Sequence, residues 1–166
     1  MKRGNRILID TNAILEAHRV GCWKALCGFF SMETVEWCII ECGEGEQFRE
    51  NRIPVEIDVL KRQVRIHSVS PLMIAELAVR SRGAFDSIHD GEKHLLAYAM
   101  AQSNAYLLCS PDKDCMRVGM ILDILRRFVS LEKIAENAGC RRLALRGQYT
   151  EKWHQSFCGI LKLDQL

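Results

Sequence analysis

The sequence has no long hydrophobic run and no strong excess of one charge. None of its apolar stretches approaches the roughly 20 residues that a membrane-spanning helix needs. Residues 1–4, Met-Lys-Arg-Gly, run directly into a strand-like segment instead of a secretory signal, so we expect a cytoplasmic protein. The formal net charge is only +2, so any nucleic-acid binding must come from local basic patches and not from overall charge.

Metal-binding cysteine and histidine patterns are also missing. The chain has eight cysteines but no C-x-x-C pair, and its five histidines form no H-x-x-x-H pair. We therefore expect reduced thiols that serve mainly as small core residues. No Ser/His/Asp arrangement is evident, so a covalent intermediate is not expected.

What the sequence does contain is an alternation of strand-like and helical segments in 166 residues, a length that suits one domain. Strand signals occur near residues 6–9, 29–32, 64–69, 105–109 and 127–130. Helical patterns occur at 32–42, from Pro71 to Gly83, from Asp90 onward, and from Pro111-Asp112 to about Arg126. This alternation predicts a parallel sheet that is covered by helices on both faces.

Two stretches fall outside this alternation. Residues 43–54 look like a flexible insertion. Residues 141–166 are basic and amphipathic, which predicts a C-terminal helical extension with a last helix from about 150 to 163. This extension would wrap the body, pair two subunits or contact RNA, and packing of its apolar face on the parent domain is slightly favoured. That face consists of Trp153, Phe157, Ile160 and Leu161.

The first strand signal ends at an acid. Ile7-Leu8-Ile9 is an apolar run of the kind found in strands buried on both faces, and Asp10-Thr11-Asn12 follows it directly. Ligand sites collect at the carboxyl ends of such strands, so Asp10 is a candidate functional residue. Capping of the next helix by Asp10 or Thr11 explains the same pattern equally well.

Further acids stand near other helix starts. Glu92 shares the inward face of its helix with Leu95, Leu96 and Ala99, whereas Asp90 has the pattern of an N-cap. Asp112 follows the strand-like residues 106–109, and Asp114 comes two residues later. A second acid on the helix over 32–42 is assigned to Glu41, with Glu33 and Glu36 as competing choices.

Each of these acids has a simple explanation as a cap, but their combination favours a common site. Carboxylates gathered at one sheet edge repel one another, which raises their pKa values or calls for a cation. Mg²⁺ and Mn²⁺ prefer oxygen ligands and are used in phosphoryl chemistry to orient phosphate oxygens. The pattern therefore indicates a divalent metal site.

Three of these motifs, in this order, resemble those of PIN-domain ribonucleases. Asp10-Thr11-Asn12 matches a hydrophobic strand that ends in Asp-Thr-Asn, and residues 90–99 resemble the Gly-Glu helix that carries the third acid of that family. Residues 107–114 resemble its fourth motif, although Ser110-Pro111 replaces the more usual Thr-Asn. The resemblance covers roughly residues 6–138.

The resemblance implies a three-layer α/β/α sandwich with a five-stranded parallel sheet, residues 1–140 being the nuclease domain. It implies a ribonuclease that hydrolyses single-stranded RNA through a metal-activated water, with Mg²⁺ or Mn²⁺ as cofactor. Thr11 and Asn12 would orient Asp10 or a metal-bound water. The implied catalytic acids are Asp10, Glu41, Glu92 and Asp112, and the implied metal ligands are Asp10, Glu92, Asp112 and Asp114.

Several alternatives remain at this stage. A haloacid-dehalogenase-like phosphatase needs an aspartate where this chain has Asn12, and the acidic pair and lysine of a receiver domain are not evident. The stronger alternative is a PIN-like module that has lost turnover and binds RNA or a protein. Within the nuclease interpretation, no residue separates a toxin from an RNA-processing factor. Besides RNA, the partners considered are an antitoxin protein and a second copy of the chain.

Overall fold

The computed structural model describes residues 1–44 and 53–163, and within them a four-stranded parallel sheet forms the centre of an α/β fold. The strands in chain order are β1 (Arg6–Ile9), β2 (Ser31–Val35), β3 (Arg65–His67) and β4 (Leu107–Cys109). Their order across the sheet is β3-β2-β1-β4, and each neighbouring pair is parallel. The predicted parallel sheet is therefore confirmed.

Helices connect the strands and follow the last one. They are α1 (Thr11–Arg19), α2 (Trp23–Phe29), α3 (Glu36–Glu44), α4 (Ile57–Gln63), α5 (Pro71–Arg80), α6 (Asp90–Met100), α7 (Lys113–Ile121), α8 (Leu131–Asn137) and α9 (Glu151–Leu163). Short 3₁₀ turns lie at Ala84–Ser87, Leu125–Arg127 and Gly147–Tyr149.

Side chains that alternate along β1 contribute to two separate cores. Ile7 and Ile9 join a cluster that includes residues of α1, α2 and α8, whereas Leu8 joins a cluster with residues of α6, α7 and α9. Successive residues of a strand point to opposite faces of its sheet, so the two clusters are the two sides of the sheet. The described chain thus fits three layers, α/β/α.

The prediction of a fifth strand is wrong. Residues 127–130 give only a single parallel bridge, between Leu108 and Phe128, instead of a strand. A 3₁₀ turn ends at Arg127, and Ser130 already caps α8 by accepting a hydrogen bond from the Lys133 amide at 3.0 Å. Too few residues remain between these two features for a strand to develop.

The predicted boundary between the second strand and its helix is also wrong. The strand occupies Ser31–Val35 and not 29–32, and the helix begins at Glu36 and not Met32. The strand contains polar residues, which do not suggest a buried strand. They are buried because they pair with residues that lie far away in the sequence. The Thr34 hydroxyl donates to the Ile9 carbonyl at 2.7 Å, and Glu33 is bound by Arg6.

Other element ends differ by smaller amounts. Helix α7 ends at Ile121 instead of about Arg126, because the backbone reverses at Asp123, which has a φ of 57°. The N-cap of α6 is His89, and Asp90 is its first helical residue. Of the predicted insertion over 43–54, residues 45–52 lie outside the described residues, and Gly43 belongs to α3.

All eight cysteines are free thiols, and five of them are buried in the two cores, as predicted. The buried ones are Cys22, Cys38, Cys42, Cys109 and Cys115. In the described ranges, no helix is both long and apolar enough for a membrane crossing.

The C-terminal extension packs on the parent fold. Helix α9 buries Phe157 and Leu161 in the core on one side of the sheet, and Trp153 packs against that core. The segment that leads to α9 is tied to α1 by the buried carboxylate of Glu16, which accepts a hydrogen bond from the Arg146 amide at 2.8 Å. Of the three possibilities for the extension, the structure shows that it covers the body.

We predict that α9 stabilises the fold through Phe157. This residue is 6% exposed, so Phe157→Ala is expected to lower the free energy of unfolding by about 3–5 kcal/mol. The matched control is Ile160→Ala on the same helix, where the side chain is 51% exposed and the expected loss is below about 1 kcal/mol. Urea unfolding measures both, and equal losses would contradict the packing of α9 described above.

Candidate functional site

The strand order creates one crevice at the carboxyl edge of the sheet. From β1 the chain builds outward through β2 and β3, and then returns to place β4 on the other side of β1. The helix after β1 packs on one face of the sheet and the helix after β4 packs on the other, since α1 and α7 contribute to different cores. Ligands of open α/β sheets bind in the crevice that such a divergence leaves.

Asp10 lies at the β1 side of this crevice and is 2% exposed. Its carboxylate caps α1 by accepting a hydrogen bond from the Ala13 amide at 2.7 Å, and its other oxygen accepts one from the Ser110 hydroxyl at 2.6 Å. Burial nevertheless raises the pKa of Asp10 to about 8, and the negative charges of Glu92 and Asp112 add to the rise. Asp10 is therefore a helix cap, as one interpretation of the sequence predicted, and it also belongs to an acidic cluster.

Asp112 lies across the crevice, after β4. It caps α7 by accepting a hydrogen bond from the Cys115 amide at 2.7 Å. The Ser110 hydroxyl that donates to Asp10 also accepts a hydrogen bond from the Asp112 amide at 3.4 Å, which places both acids at the same point. The charge of Asp112 adds to the rise in the pKa of Asp10 and Glu92. Asp114, in contrast, is bound by Arg117 of the next helical turn, and its side chain is 40% exposed.

Glu92 comes from the first turn of α6 and is 6% exposed, on the inward face that the sequence predicts. Its Oε2 atom is buried and has no hydrogen-bond partner among the described residues. Burial first, then the charges of Asp112 and Glu41, raise the pKa of Glu92. A buried carboxylate oxygen without a donor is unfavourable, so this atom marks a place where a ligand would be stabilised.

Glu41 is the acid on α3 that reaches the cluster. It accepts hydrogen bonds from the Thr11 hydroxyl and from the Gly91 amide, the latter at 3.1 Å. The competing choices have other partners. Glu33 lies on β2, where Arg6 and His67 bind it, and Glu36 accepts a hydrogen bond from Ser68 at 2.7 Å.

Thr11 and Asn12 are the remaining predicted residues. Thr11 supports the cluster, whereas Asn12 forms no hydrogen bond with it among the described residues. Thr11 is buried and its hydroxyl donates to Glu41, so the cluster residue that it orients is Glu41. Its predicted role toward a metal-bound water stays a prediction. Asn12 is exposed on the surface of α1.

Two residues of the site were missed at the sequence level. Ser110 was noted only as a departure from the usual fourth motif, yet its hydroxyl positions Asp10 across 100 residues of chain. Gly91 leaves room for Glu41, because a Cβ atom there would lie 2.3 Å from Glu41 Oε2. The sequence signal for both residues was their position. Ser110 precedes Asp112 by two residues, and Gly91 precedes Glu92 directly.

The cluster suits a hard cation in its chemistry. Its four acids offer only carboxylate oxygens, the ligand type that Mg²⁺ and Mn²⁺ prefer, and Glu92 Oε2 is available. Among the described residues, no group of three or more His, Cys, Asp or Glu side chains is arranged so that it could hold a metal ion as it stands. Mg²⁺ usually keeps several water ligands and takes few carboxylates, so an open arrangement fits this ion.

Comparison of the chain with protein-family models and with curated proteins gives no match. The resemblance to PIN-domain ribonucleases therefore depends on the three motifs alone. RNA, an antitoxin protein and a second copy of the chain stay predictions as partners.

We predict that Asp10 makes stability depend on pH. Its pKa is about 8 in the folded chain and about 3.9 when unfolded, so between these values the folded chain holds a proton that the unfolded chain has lost. The stability of the wild type must therefore fall as the pH rises through this interval. An asparagine side chain at this position does not titrate, so the Tm of Asp10→Asn should rise relative to wild type.

Thermal unfolding of both proteins in EDTA from pH 5 to pH 8 tests this expectation. The difference in Tm between Asp10→Asn and wild type should widen by at least about 4 °C from pH 5 to pH 8. One pKa unit corresponds to about 1.4 kcal/mol, and 1 kcal/mol shifts Tm by about 2–4 °C in a chain of this size. A difference that stays constant with pH would show that Asp10 is ionised throughout.

Proposed function

We propose that this protein is a divalent-metal-dependent endoribonuclease of the PIN-like type, which hydrolyses phosphodiester bonds of single-stranded RNA at the Asp10 cluster. The observation that carries the proposal is a set of four carboxylates at one crevice with no neutralising basic side chain hydrogen-bonded to Asp10, Glu41, Glu92 or Asp112 in the described ranges. The RNA substrate and the family follow from the motif resemblance. Localisation in the cytoplasm is part of the same proposal.

Asp10, Glu92 and Asp112 would hold the cation, and Glu41 would complete its surroundings. When bound, Mg²⁺ or Mn²⁺ supplies a Lewis acid for phosphate oxygens and lowers the pKa of a water. Asp114 is a weaker candidate as a ligand, because Arg117 already neutralises it.

The protein's own contribution is to fix the carboxylates before substrate arrives. Ser110 and the Ala13 amide hold one oxygen each of Asp10, and Thr11 and the Gly91 amide do the same for Glu41. Such prior positioning avoids reorganisation when charge develops on the phosphate. Burial of Asp10 and Glu92 keeps much of the site away from bulk water, which strengthens their interaction with a cation.

We predict that Asp10→Asn, Asp112→Asn and Glu92→Gln each lower kcat for cleavage of a labelled single-stranded RNA by at least about 100-fold. Asparagine caps helices as well as aspartate does, so the first two substitutions remove a charge and keep the cap. Asp114→Asn should lower kcat less than about threefold, because its charge is already paired. The assay compares Mg²⁺ and Mn²⁺ with EDTA.

The matched control is Glu76→Gln, which removes an exposed carboxylate on α5 that pairs only with Arg80 in the described chain. Cleavage that survives Asp10→Asn would remove the proposed mechanism. Absence of cleavage by every protein, together with tight RNA or protein binding, would instead support the inactive module.

We also predict that Gly91→Ala impairs the site without unfolding the chain. The new methyl group would displace the Glu41 carboxylate, which is the flexible end of a side chain, while alanine favours the helix more than glycine does. We expect kcat to fall about tenfold or more, with Tm within a few degrees of wild type.

Gly159→Ala on α9 is the control, since a Cβ atom there meets nothing within 4 Å. The double variant Gly91→Ala/Glu41→Asp shortens the displaced side chain and should recover part of the lost activity. Full activity in Gly91→Ala would exclude a role for the position of Glu41.

A further inference from the structure

Trp37 is the one tryptophan of the three that joins neither core, all three lying in the described residues. Trp23 is buried in the core beside α1, and Trp153 packs against the opposite core. Trp37 keeps 37% of its surface accessible. A single exposed apolar residue is common on a protein surface, but this ring is also stacked on a second ring and lies near the acidic cluster.

The indole ring of Trp37 is held by His94 of α6. The two rings are nearly parallel, with an interplanar angle of 10° and centroids 5.0 Å apart. His94 Nδ1 lies 2.8 Å from the Asp90 carbonyl oxygen and must donate to it, because that oxygen can only accept. The imidazole is therefore fixed, and it fixes the indole in one orientation at the surface.

The stacked pair lies next to the acidic cluster. Trp37 and Glu41 are four residues apart on α3, so they share a side of that helix and are about 6 Å apart along its axis. On α6, His94 comes three residues after Gly91, whose amide binds Glu41. The Trp37–His94 and Glu41–Gly91 contacts are thus neighbouring contacts between the same two helices, α3 and α6.

We propose that the Trp37–His94 pair is a stacking platform for an unpaired base of the RNA substrate. The inference rests on the proposed function, because an RNA whose phosphodiester reaches Glu41 carries its bases past the neighbouring helical turn. Bases in a duplex already stack on their neighbours, so such a platform selects single-stranded RNA. It tolerates different sequences because every base has a π-face. The fixed orientation of the rings limits the entropy that stacking costs.

The test measures binding separately from cleavage. In the Asp10→Asn background, fluorescence anisotropy of a labelled short oligouridine in the presence of Mg²⁺ gives Kd. Trp37→Leu is expected to raise Kd about tenfold or more, and Trp37→Phe, which keeps an aromatic face, should recover most of the affinity. Leu163→Ala is the matched control, since Leu163 is an apolar residue that is 69% exposed on a different helix, α9, and its loss should leave Kd unchanged. Circular dichroism and Tm verify that each variant folds.

A second readout separates stacking from general loss of structure. With Asp10 restored, Trp37→Leu should raise KM for the oligouridine more than it lowers kcat, and blunt duplex RNA should bind with a Kd that Trp37→Leu leaves unchanged. Equal oligouridine affinity for Trp37→Leu and its parent would overturn the platform while leaving the nuclease proposal intact. Weaker binding by Trp37→Leu without cleavage by any variant would keep the platform and overturn the nuclease. Absence of oligouridine binding by the parent would overturn the platform, and only absence of cleavage by the wild type would overturn the nuclease.

Discussion

The carboxylate of Asp10 is held from two sides of the crevice, and the rest of the site is arranged around that constraint. The Ala13 amide belongs to the helix that Asp10 itself starts, whereas the Ser110 hydroxyl comes from the end of β4. The Asp10 amide also donates to the Cys109 carbonyl at 3.2 Å, which extends the pairing of β1 with β4 to the same point. A side chain fixed in this way cannot turn away from Glu92 and Asp112, so their repulsion is built into the fold.

The described part of the chain contains two kinds of buried carboxylate, and the difference between them distinguishes the candidate site. Glu33 is fully buried, but hydrogen bonds from Arg6 and His67 outweigh the burial and hold its pKa below the usual value. Glu16 is similarly paired with Arg19. Asp10 and Glu92 are also buried and have raised pKa values, because no basic partner offsets their burial and neighbouring acids add to the rise. Burial alone thus does not distinguish the candidate site, whereas burial without a compensating cation does.

Local sequence signals predicted the strands and helices that carry the main acids. The features that they did not predict depend mainly on contacts between residues far apart in the sequence. The run before Asp10, the inward face of Glu92 and the strand before Asp112 are all visible within a few residues of sequence. The strand that contains Glu33 was predicted at the wrong position. Burial of Glu33 is favourable because Arg6 pairs with it, and Arg6 lies 27 residues away in the sequence. Ser110 could be assigned a role only once β1 and β4 were known to be neighbours. The prediction of a fifth strand was wrong for a local reason. The apolar residues Phe128 and Val129 have strand character, but a turn precedes them and a helix cap follows them directly.

The two helices that leave the crevice explain how a repulsive site is compatible with a stable fold. Helices α1 and α7 each begin at an acid that caps them, and then pack into different cores on the two faces of the sheet. The apolar residues that bury these helices are therefore separate from the carboxylates, and the charges of Asp10, Glu92 and Asp112 are confined to helix starts. Removal of a charge with the cap retained should leave both cores intact. The same separation allows the acids to be arranged for a ligand without altering the packing that supports them.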